Sequence, residues 1–216
     1  MGDGPLPATI RIGGASGFWG ESSLATPQLL DAGGIDYLVY DYLAEITMSI
    51  LQKQRERDPS LGYARDFVSL VAGLAPELIG RNVRVVSNAG GVNPEGCRSA
   101  LFEALDSVPT SRPLRVAVVS GDDLMERLDA LIAEGHELRN METGEPLSSI
   151  RDRVQAANAY IGAAPIMEAL AEKADVVITG RSTDTALTYA PLMFEHGWAA
   201  DDWDRIAAGV GPMKMT

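Results

Sequence analysis

The sequence is poor in the residues that build several common kinds of site. Its 216 residues include one cysteine, Cys97, and two histidines, so an intrachain disulfide is excluded and a histidine-rich zinc site is not expected. Lysine and arginine number 18 against 30 aspartates and glutamates, which gives a formal net charge of −12. This shortage of positive charge disfavours nucleic acid and anionic membrane surfaces as partners. It does not disfavour a small anion, because a few local cations are enough to hold one.

The chain also lacks a long hydrophobic run. No apolar stretch approaches the roughly 18 residues that are needed to span a bilayer. The first ten residues, MGDGPLPATI, lack the basic and apolar regions of a secretory signal. These patterns predict a cytoplasmic protein that does not associate with membranes.

Short apolar strands alternate with amphipathic helices, which is typical of a parallel α/β sheet. Six segments have the composition of a strand, and they lie at residues 10–12, 37–42, 83–86, 114–119, 156–161 and 176–178. A (β/α) barrel would need eight strands. We therefore predict an open, mostly parallel, doubly wound sheet of the Rossmann-like kind, with helices on both faces.

Three features outside this alternation complete the predicted organisation. Residues 136–148 are polar and turn at Thr143-Gly144, so we predict a small β-hairpin insertion that forms either a flap over the sheet or an oligomer contact. We expect one α/β domain over residues 9–197, after a disordered leader at 1–8. Residues 198–216 form a tail, which we interpret as the start of a continuing or truncated region.

Residues 174–191, ADVVITGRSTDTALTYAP, combine a buried-strand pattern, a polar turn and a helix. Arg181 and Asp184 fall in the turn, where a helix start exposes unpaired N–H groups and a partial positive charge. Arg181 adds a planar cation that can hold a carboxylate or phosphate through two parallel hydrogen bonds. The alternative is structural: a turn residue caps the helix while Arg181 pairs with a neighbouring acid.

A glycine-rich segment, IGGASGFWGES, follows the first predicted strand. Its glycines let the backbone approach a ligand closely, so Gly14, Ser16 and Gly17 are candidates for holding an anion. The spacing matches neither the dinucleotide fingerprint nor the phosphate-binding loop, so the sequence assigns no cofactor. The alternative is a tight turn that packs Phe18 and Trp19 into the core.

Polar side chains follow the other predicted strands at the same point. Three acids are candidates for proton transfer, namely Asp41, Asp122 and Asp123. Three further residues are candidate ligand contacts, namely Asn88, Asn158 and Tyr160. Each acid has a structural alternative, because a carboxylate near a helix start caps the helix or complements its dipole. Only one of Asp122 and Asp123 is needed as a cap. The neighbouring pair could also bind Mg²⁺, but we assign no metal.

These side chains are expected to share one location. The carboxyl ends of parallel strands lie at one edge of a sheet, and ligands of open α/β proteins collect there. The sequence therefore predicts a polar cleft at the carboxyl edge. Cys97 is predicted to lie in the helix after the third strand, and we interpret it as a packed apolar residue, because no histidine that could activate a thiolate lies nearby in the sequence.

Taken in order, six motifs resemble those of the acyclic terpene utilisation protein AtuA family, specifically its N-terminal domain. The motifs are IGGASGFWGES, DYLVYDYLAEITM, SNAGGVNPEGC, VVSGDD, ANAYIGAAPI and DVVITGRSTDTAL. The resemblance implies a part of a longer family member and a role in bacterial breakdown of citronellol-like and geraniol-like compounds through acyl-CoA intermediates. The resemblance implies a pathway, but it implies neither a reaction nor a set of catalytic residues.

Two functions are consistent with these residues. The first is an enzyme of hydratase, lyase or isomerase type that acts on a carboxylate or acyl-CoA, with Arg181 and the glycine segment holding the anion and an aspartate moving protons. The second is a non-catalytic subunit that binds a metabolite or another protein of the same pathway. In either case we expect a homo-oligomer.

Overall fold

Five short strands form an open, all-parallel sheet in the computed structural model, which describes residues 9–210. In chain order they are β1 (Ile12–Ser16), β2 (Tyr37–Tyr40), β3 (Arg84–Ser87), β4 (Val116–Val119) and β5 (Val176–Thr179). Their order in the sheet is β1-β2-β3-β5-β4. Every pair of neighbours is parallel. This arrangement confirms the predicted open, parallel α/β sheet.

Helices connect the strands. The described residues contain eight α-helices, which are α1 (Ala25–Ala32), α2 (Glu45–Arg57), α3 (Arg65–Arg81), α4 (Pro94–Leu105), α5 (Leu128–Ala133), α6 (Ala163–Ala171), α7 (Ala186–His196) and α8 (Trp203–Val210). Short 3-10 turns lie at Met125–Arg127, Leu147–Ser149 and Arg151–Arg153. Over residues 9–210, no helix has both the length and the apolar character that crossing a bilayer requires.

The two faces of the sheet are covered by different helices. Leu38, Val85 and Ile178 point to one face, where they pack with buried residues of α1 to α4. Val39 and Val177 point to the other face and pack with α6 and α7. Each such side chain contributes roughly 1.5–3 kcal/mol by leaving water. Because β2 and β5 are covered on both faces, their sequences are continuous apolar runs and do not alternate.

The helices after β3 and β5 lie on opposite faces of the sheet. The chain leaves β3 into α4, whose Cys97 and Leu101 belong to the first core, and leaves β5 into α7, whose Leu187 belongs to the second. Since β3 and β5 are neighbours, their connections leave toward opposite faces of the sheet at this point. Such a reversal is where open α/β sheets bind ligands.

The predicted strand at residues 156–161 is wrong. That segment makes only isolated bridges, between Asn158 and Asp123 and between Ile161 and Ser182. It crosses the carboxyl edge from the turn after β4 to the turn after β5, because the Ala159 N–H donates to the Asp122 carbonyl and the Ile161 N–H to the Arg181 carbonyl. The sheet therefore has five strands where six were predicted.

Other boundaries also differ from the predictions. Gly13 and Gly14 belong to β1, so the glycine loop begins later than expected. Residues 136–148 reverse direction as predicted, and the Asn140 N–H donates to the Glu145 carbonyl, but no strand forms and the hairpin is a plain loop. The tail contains α8, which packs on α7. The leader at 1–8 and residues 211–216 lie outside the described residues.

At the opposite, amino edge of the sheet, Asp175 holds two arginines. Its carboxylate, 9% exposed, accepts hydrogen bonds from Nη1 and Nη2 of Arg112 at 2.7 and 2.9 Å and from Nη2 of Arg115 at 3.2 Å. Burial raises the pKa of Asp175, but the hydrogen bonds from Arg112 and Arg115 outweigh it and hold this pKa well below its usual range. The cluster joins the loop before β4 to the start of β5.

We expect Asp175→Asn to lower the free energy of unfolding by about 2 kcal/mol at neutral pH, because it leaves two cations facing a neutral amide. The native pKa lies below the unfolded value, so the carboxylate stabilises the fold above about pH 4 and this contribution disappears as pH falls through the native pKa. Urea unfolding at pH 7 and pH 3 should therefore show a smaller difference between variant and wild type at pH 3. Asp129→Asn, which breaks an exposed pair with Arg151, is the control and should change stability by less than about 0.5 kcal/mol. If Asp175→Asn lowered the free energy of unfolding equally at pH 7 and pH 3, the ionised Asp175 carboxylate would not be the source of this stability.

Candidate functional site

Polar residues from four strand ends meet at the carboxyl edge. Asp41 follows β2, Asn88 follows β3, Asp122 follows β4 and Arg181 follows β5. Hydrogen bonds connect Asp41 with Asn88, and Asp122 with the backbone N–H of Arg181. These four turns therefore lie side by side at the carboxyl edge, and the predicted convergence is observed for them.

Arg181 lies at the centre of this cluster. The residue is 5% exposed, and its Nη1 donates to the Leu43 carbonyl at 2.6 Å. Two acids face the guanidinium: Nη1 lies 3.3 Å from Asp184 and Nη2 lies 3.4 Å from Glu45. The structural alternative for Arg181 is thus partly realised, since it pairs with acids of its own chain.

Both acid contacts of Arg181 are loose. A charge-assisted hydrogen bond of this type is usually about 2.7–2.9 Å long, and these are longer. The side chains of Glu45 and Asp184 are 78% and 67% exposed, so water competes for them. Among the described residues, the buried Nε of Arg181 has no hydrogen-bond partner. A buried donor without an acceptor is unfavourable by about 1–3 kcal/mol, which favours a ligand or water that accepts from it.

Tyr160 covers the guanidinium. The Arg181 guanidinium carbon lies 4.2 Å from the centre of the Tyr160 ring, within the range of a cation–π contact. The Tyr160 hydroxyl donates to Oε1 of Glu45. The crossing segment 156–161 therefore brings Tyr160 over Arg181 and connects it to the first residue of α2.

Asn88 orients Asp41. Asn88 is fully buried; its side-chain oxygen accepts from the Tyr42 N–H and its NH₂ donates to Asp41, both at 2.7 Å. Because both ends of the amide are used within the protein, Asn88 lies beneath the site and not on its surface. Burial raises the pKa of Asp41, and the nearby Asp184 adds to the rise, although the hydrogen bond from Asn88 opposes it.

Asp122 and Asp123 have different roles. Oδ1 of Asp123 accepts from the Met125 N–H at 2.9 Å, so Asp123 caps the 3-10 turn after β4. Asp122 is 4% exposed and accepts from the Arg181 N–H and from the Asn158 side chain at 2.8 and 2.9 Å. Burial raises the pKa of Asp122, while these hydrogen bonds oppose the rise. The acid at the strand end is thus Asp122, and it connects the β4 and β5 turns.

The glycine segment contributes less directly. Gly14 is an exposed residue of β1, and the Ser16 hydroxyl donates to the Phe18 carbonyl at 2.8 Å. The Gly17 N–H donates to the carboxylate of Glu21 at 2.7 Å, so it binds an anion of its own chain. The carbonyl of Ser16 accepts from the Asp41 N–H, which places this turn beside the cluster.

A cleft of about 280 Å³ opens next to the cluster. Asn158 belongs to both the cluster and the cleft. The cleft walls are α2, the turn after β3 and the turn after β4, which contribute Arg55, Val92 and Asp123 respectively.

Over residues 9–210, no three His, Cys, Asp or Glu side chains are grouped as metal ligands would be. Cys97 is fully buried, and burial raises the pKa of its thiol to about 12, so it packs as an apolar residue as predicted.

Two acids outside the candidate residues named above, Glu45 and Glu21, belong to the site. Glu45 contacts Arg181 and Tyr160, and Glu21 occupies the N–H of Gly17. Each follows a candidate residue by four positions, Glu45 after Asp41 and Glu21 after Gly17. That proximity, and for Glu45 its place in the opening turn of a helix, is a sequence signal, but it does not say which partner the acid contacts.

Comparison with known proteins identifies the chain at the level of the family. Searches of curated proteins and of solved structures found no match. A family model, described as acyclic terpene utilisation family protein AtuA, matches residues 10–211. The match covers the sheet, its helices and the turns that form the carboxyl-edge cluster. The chain therefore belongs to the acyclic terpene utilisation family AtuA.

Proposed function

We propose that this protein binds a carboxylate or acyl-CoA intermediate of acyclic terpene breakdown at the carboxyl edge of its sheet. The observation that carries the proposal is Arg181: it is a buried cation at the carboxyl edge, its two acid contacts are loose, and its Nε has no partner within residues 9–210. An arginine is well suited to grip the two oxygens of a carboxylate. The adjacent cleft has room for the rest of a small ligand.

The chemistry that suits the cluster is proton transfer. Asp41 is the best candidate, because it is half-buried, oriented by Asn88, and has a pKa raised by burial. A general base works best when its pKa lies near the operating pH. Arg181 would hold the anionic group while Asp41 takes or returns a proton, which is the requirement of a hydratase, lyase or isomerase reaction.

Crystals soaked with a branched medium-chain carboxylate, and separately with its CoA thioester, test the proposal. We expect electron density at Arg181 that extends into the cleft bordered by Asn158. Titration calorimetry in solution should give a dissociation constant below about 1 mM, equivalent to roughly −4 kcal/mol. An empty carboxyl edge in the soaked crystals, together with no heat of binding, would reject the proposal.

A second candidate is a non-catalytic partner subunit. The observation that favours it is apolar surface beside the site: Ile46 and Ile50, one turn apart on α2, are 71% and 43% exposed. Neighbouring apolar groups on a surface are typical of a protein contact. Light scattering tests this surface: if Ile46 and Ile50 form an assembly contact, the wild type is a homo-oligomer that Ile46→Glu disrupts, whereas an unchanged mass of Ile46→Glu would reject the contact.

A further inference from the structure

One carboxylate oxygen of the protein already contacts both the Arg181 guanidinium and the Tyr160 hydroxyl. Oε1 of Glu45 accepts from the Tyr160 hydroxyl and lies 3.4 Å from Nη2 of Arg181. We infer that the site recognises a free carboxylate in preference to a thioester, and that Glu45 occupies the position of this carboxylate until the ligand displaces it. The inference rests on the proposed function and adds the ligand class and an internal competitor.

The edge of the Arg181 guanidinium formed by Nε and Nη2 is where we expect the ligand to bind. Nε and Nη2 of an arginine donate side by side, and this chain shows such an arrangement in Arg115, whose Nε and Nη2 both donate to Asp175 at 3.3 and 3.2 Å. On Arg181 the same pair is incomplete, because Nη2 has one long contact and Nε has no partner among the described residues. A ligand carboxylate that accepts from both would complete it.

Glu45 is well placed to give way. It is the first residue of α2, and its side chain is 78% exposed, so its carboxylate can swing into water without leaving a cavity. The Arg181 Nε is buried while Glu45 and Tyr160 are in place. The ligand and Glu45 therefore compete for one position, and binding requires that Glu45 release both Arg181 and Tyr160.

The charge of the group that contacts Arg181 favours a carboxylate over the carbonyl of a thioester. When Glu45 leaves, the one ion pair that Arg181 keeps with a described residue is the contact with Asp184 at 3.3 Å. A carboxylate replaces the lost negative charge, whereas the carbonyl of a thioester is neutral and leaves a buried cation incompletely compensated, which is unfavourable. The Tyr160 hydroxyl, released by Glu45, can donate to the incoming anion.

The test compares octanoate and octanoyl-CoA by calorimetry with the wild-type protein, Glu45→Gln and Glu45→Ala. Removing the competitor should tighten octanoate binding about tenfold, equivalent to about 1.4 kcal/mol, and wild-type protein should prefer octanoate to octanoyl-CoA. Glu95→Gln is the matched control, because Glu95 is an exposed acid in the first turn of α4 that pairs with Arg98. Its variant should bind octanoate as the wild type does.

Three outcomes would overturn the inference, and they differ in what else they reject. If Arg181→Lys weakens octanoate binding while Glu45→Gln leaves it unchanged, Glu45 is no competitor and the proposed function stands. A preference for octanoyl-CoA would reject the ligand class and also leave the proposed function standing. Absence of binding by the wild type and every folded variant would reject both.

Discussion

Arg181→Met is expected to weaken the binding of a carboxylate probe by at least about 100-fold. Methionine keeps much of the apolar volume beneath Tyr160 but removes the charge and all donors of the guanidinium. Hydrogen bonds to a charged group contribute about 1.5–3 kcal/mol each, and the ligand would lose two of them. The measurement is the dissociation constant from titration calorimetry, with thermal unfolding recorded alongside, because the Leu43 carbonyl loses its donor.

Two further variants separate binding from folding. Arg181→Lys keeps the charge and loses the planar pair of donors, so its affinity should fall between those of the wild type and Arg181→Met. Arg84 is the matched control, since its guanidinium also lies over an aromatic ring, that of Phe194, but at the amino edge of the sheet. Arg84→Met should bind the probe normally. Normal binding by a folded Arg181→Met protein would remove Arg181 from the site.

Asp41→Asn is expected to lower turnover by about 1,000-fold while leaving ligand affinity within about threefold, because general acid–base catalysis contributes roughly 100- to 10,000-fold. Asparagine has nearly the same shape and can still accept from Asn88, so the fold should persist. The assay is NMR detection of deuterium uptake from D₂O by unsaturated carboxylates and thioesters, with the variant measured on any compound that the wild type converts.

The pH dependence provides a second test of Asp41. Burial raises the pKa of Asp41 above its ordinary value. If Asp41 acts as a base, wild-type turnover should fall as pH decreases through this raised pKa, since the protonated form cannot accept a proton. The residual turnover of Asp41→Asn should lack this dependence. Asp31→Asn, which removes an exposed charge from α1, is the control and should keep both the rate and the pH profile. Full activity in Asp41→Asn would show that Asp41 is not the base.

Much of the architecture follows from local sequence. The apolar runs at residues 83–86 and 176–178 predicted strands, and the structure has β3 and β5 there. The Asn93 side chain accepts from the Gly96 N–H and caps α4, a contact between residues three positions apart. Both signals are local, because a cap joins residues a few positions apart and a covered strand has a continuous apolar sequence. The segment at 156–161 was misjudged, because its place is set by contacts with two other turns, through Asp122 and Arg181.

The sequence by itself determined the α/β class, the family and the candidate residues at the strand ends, since strands, helices and motifs can each be recognised from short stretches and from their order along the chain. Only the tertiary structure decided what those residues do. It made Asp123 a cap and Asp122 a link between two turns, and it set Glu45 against Arg181, 136 residues later in the chain. Such pairings depend on which turns the strand order β1-β2-β3-β5-β4 brings together and on how deeply each group is buried, and neither quantity has a local signal in the sequence.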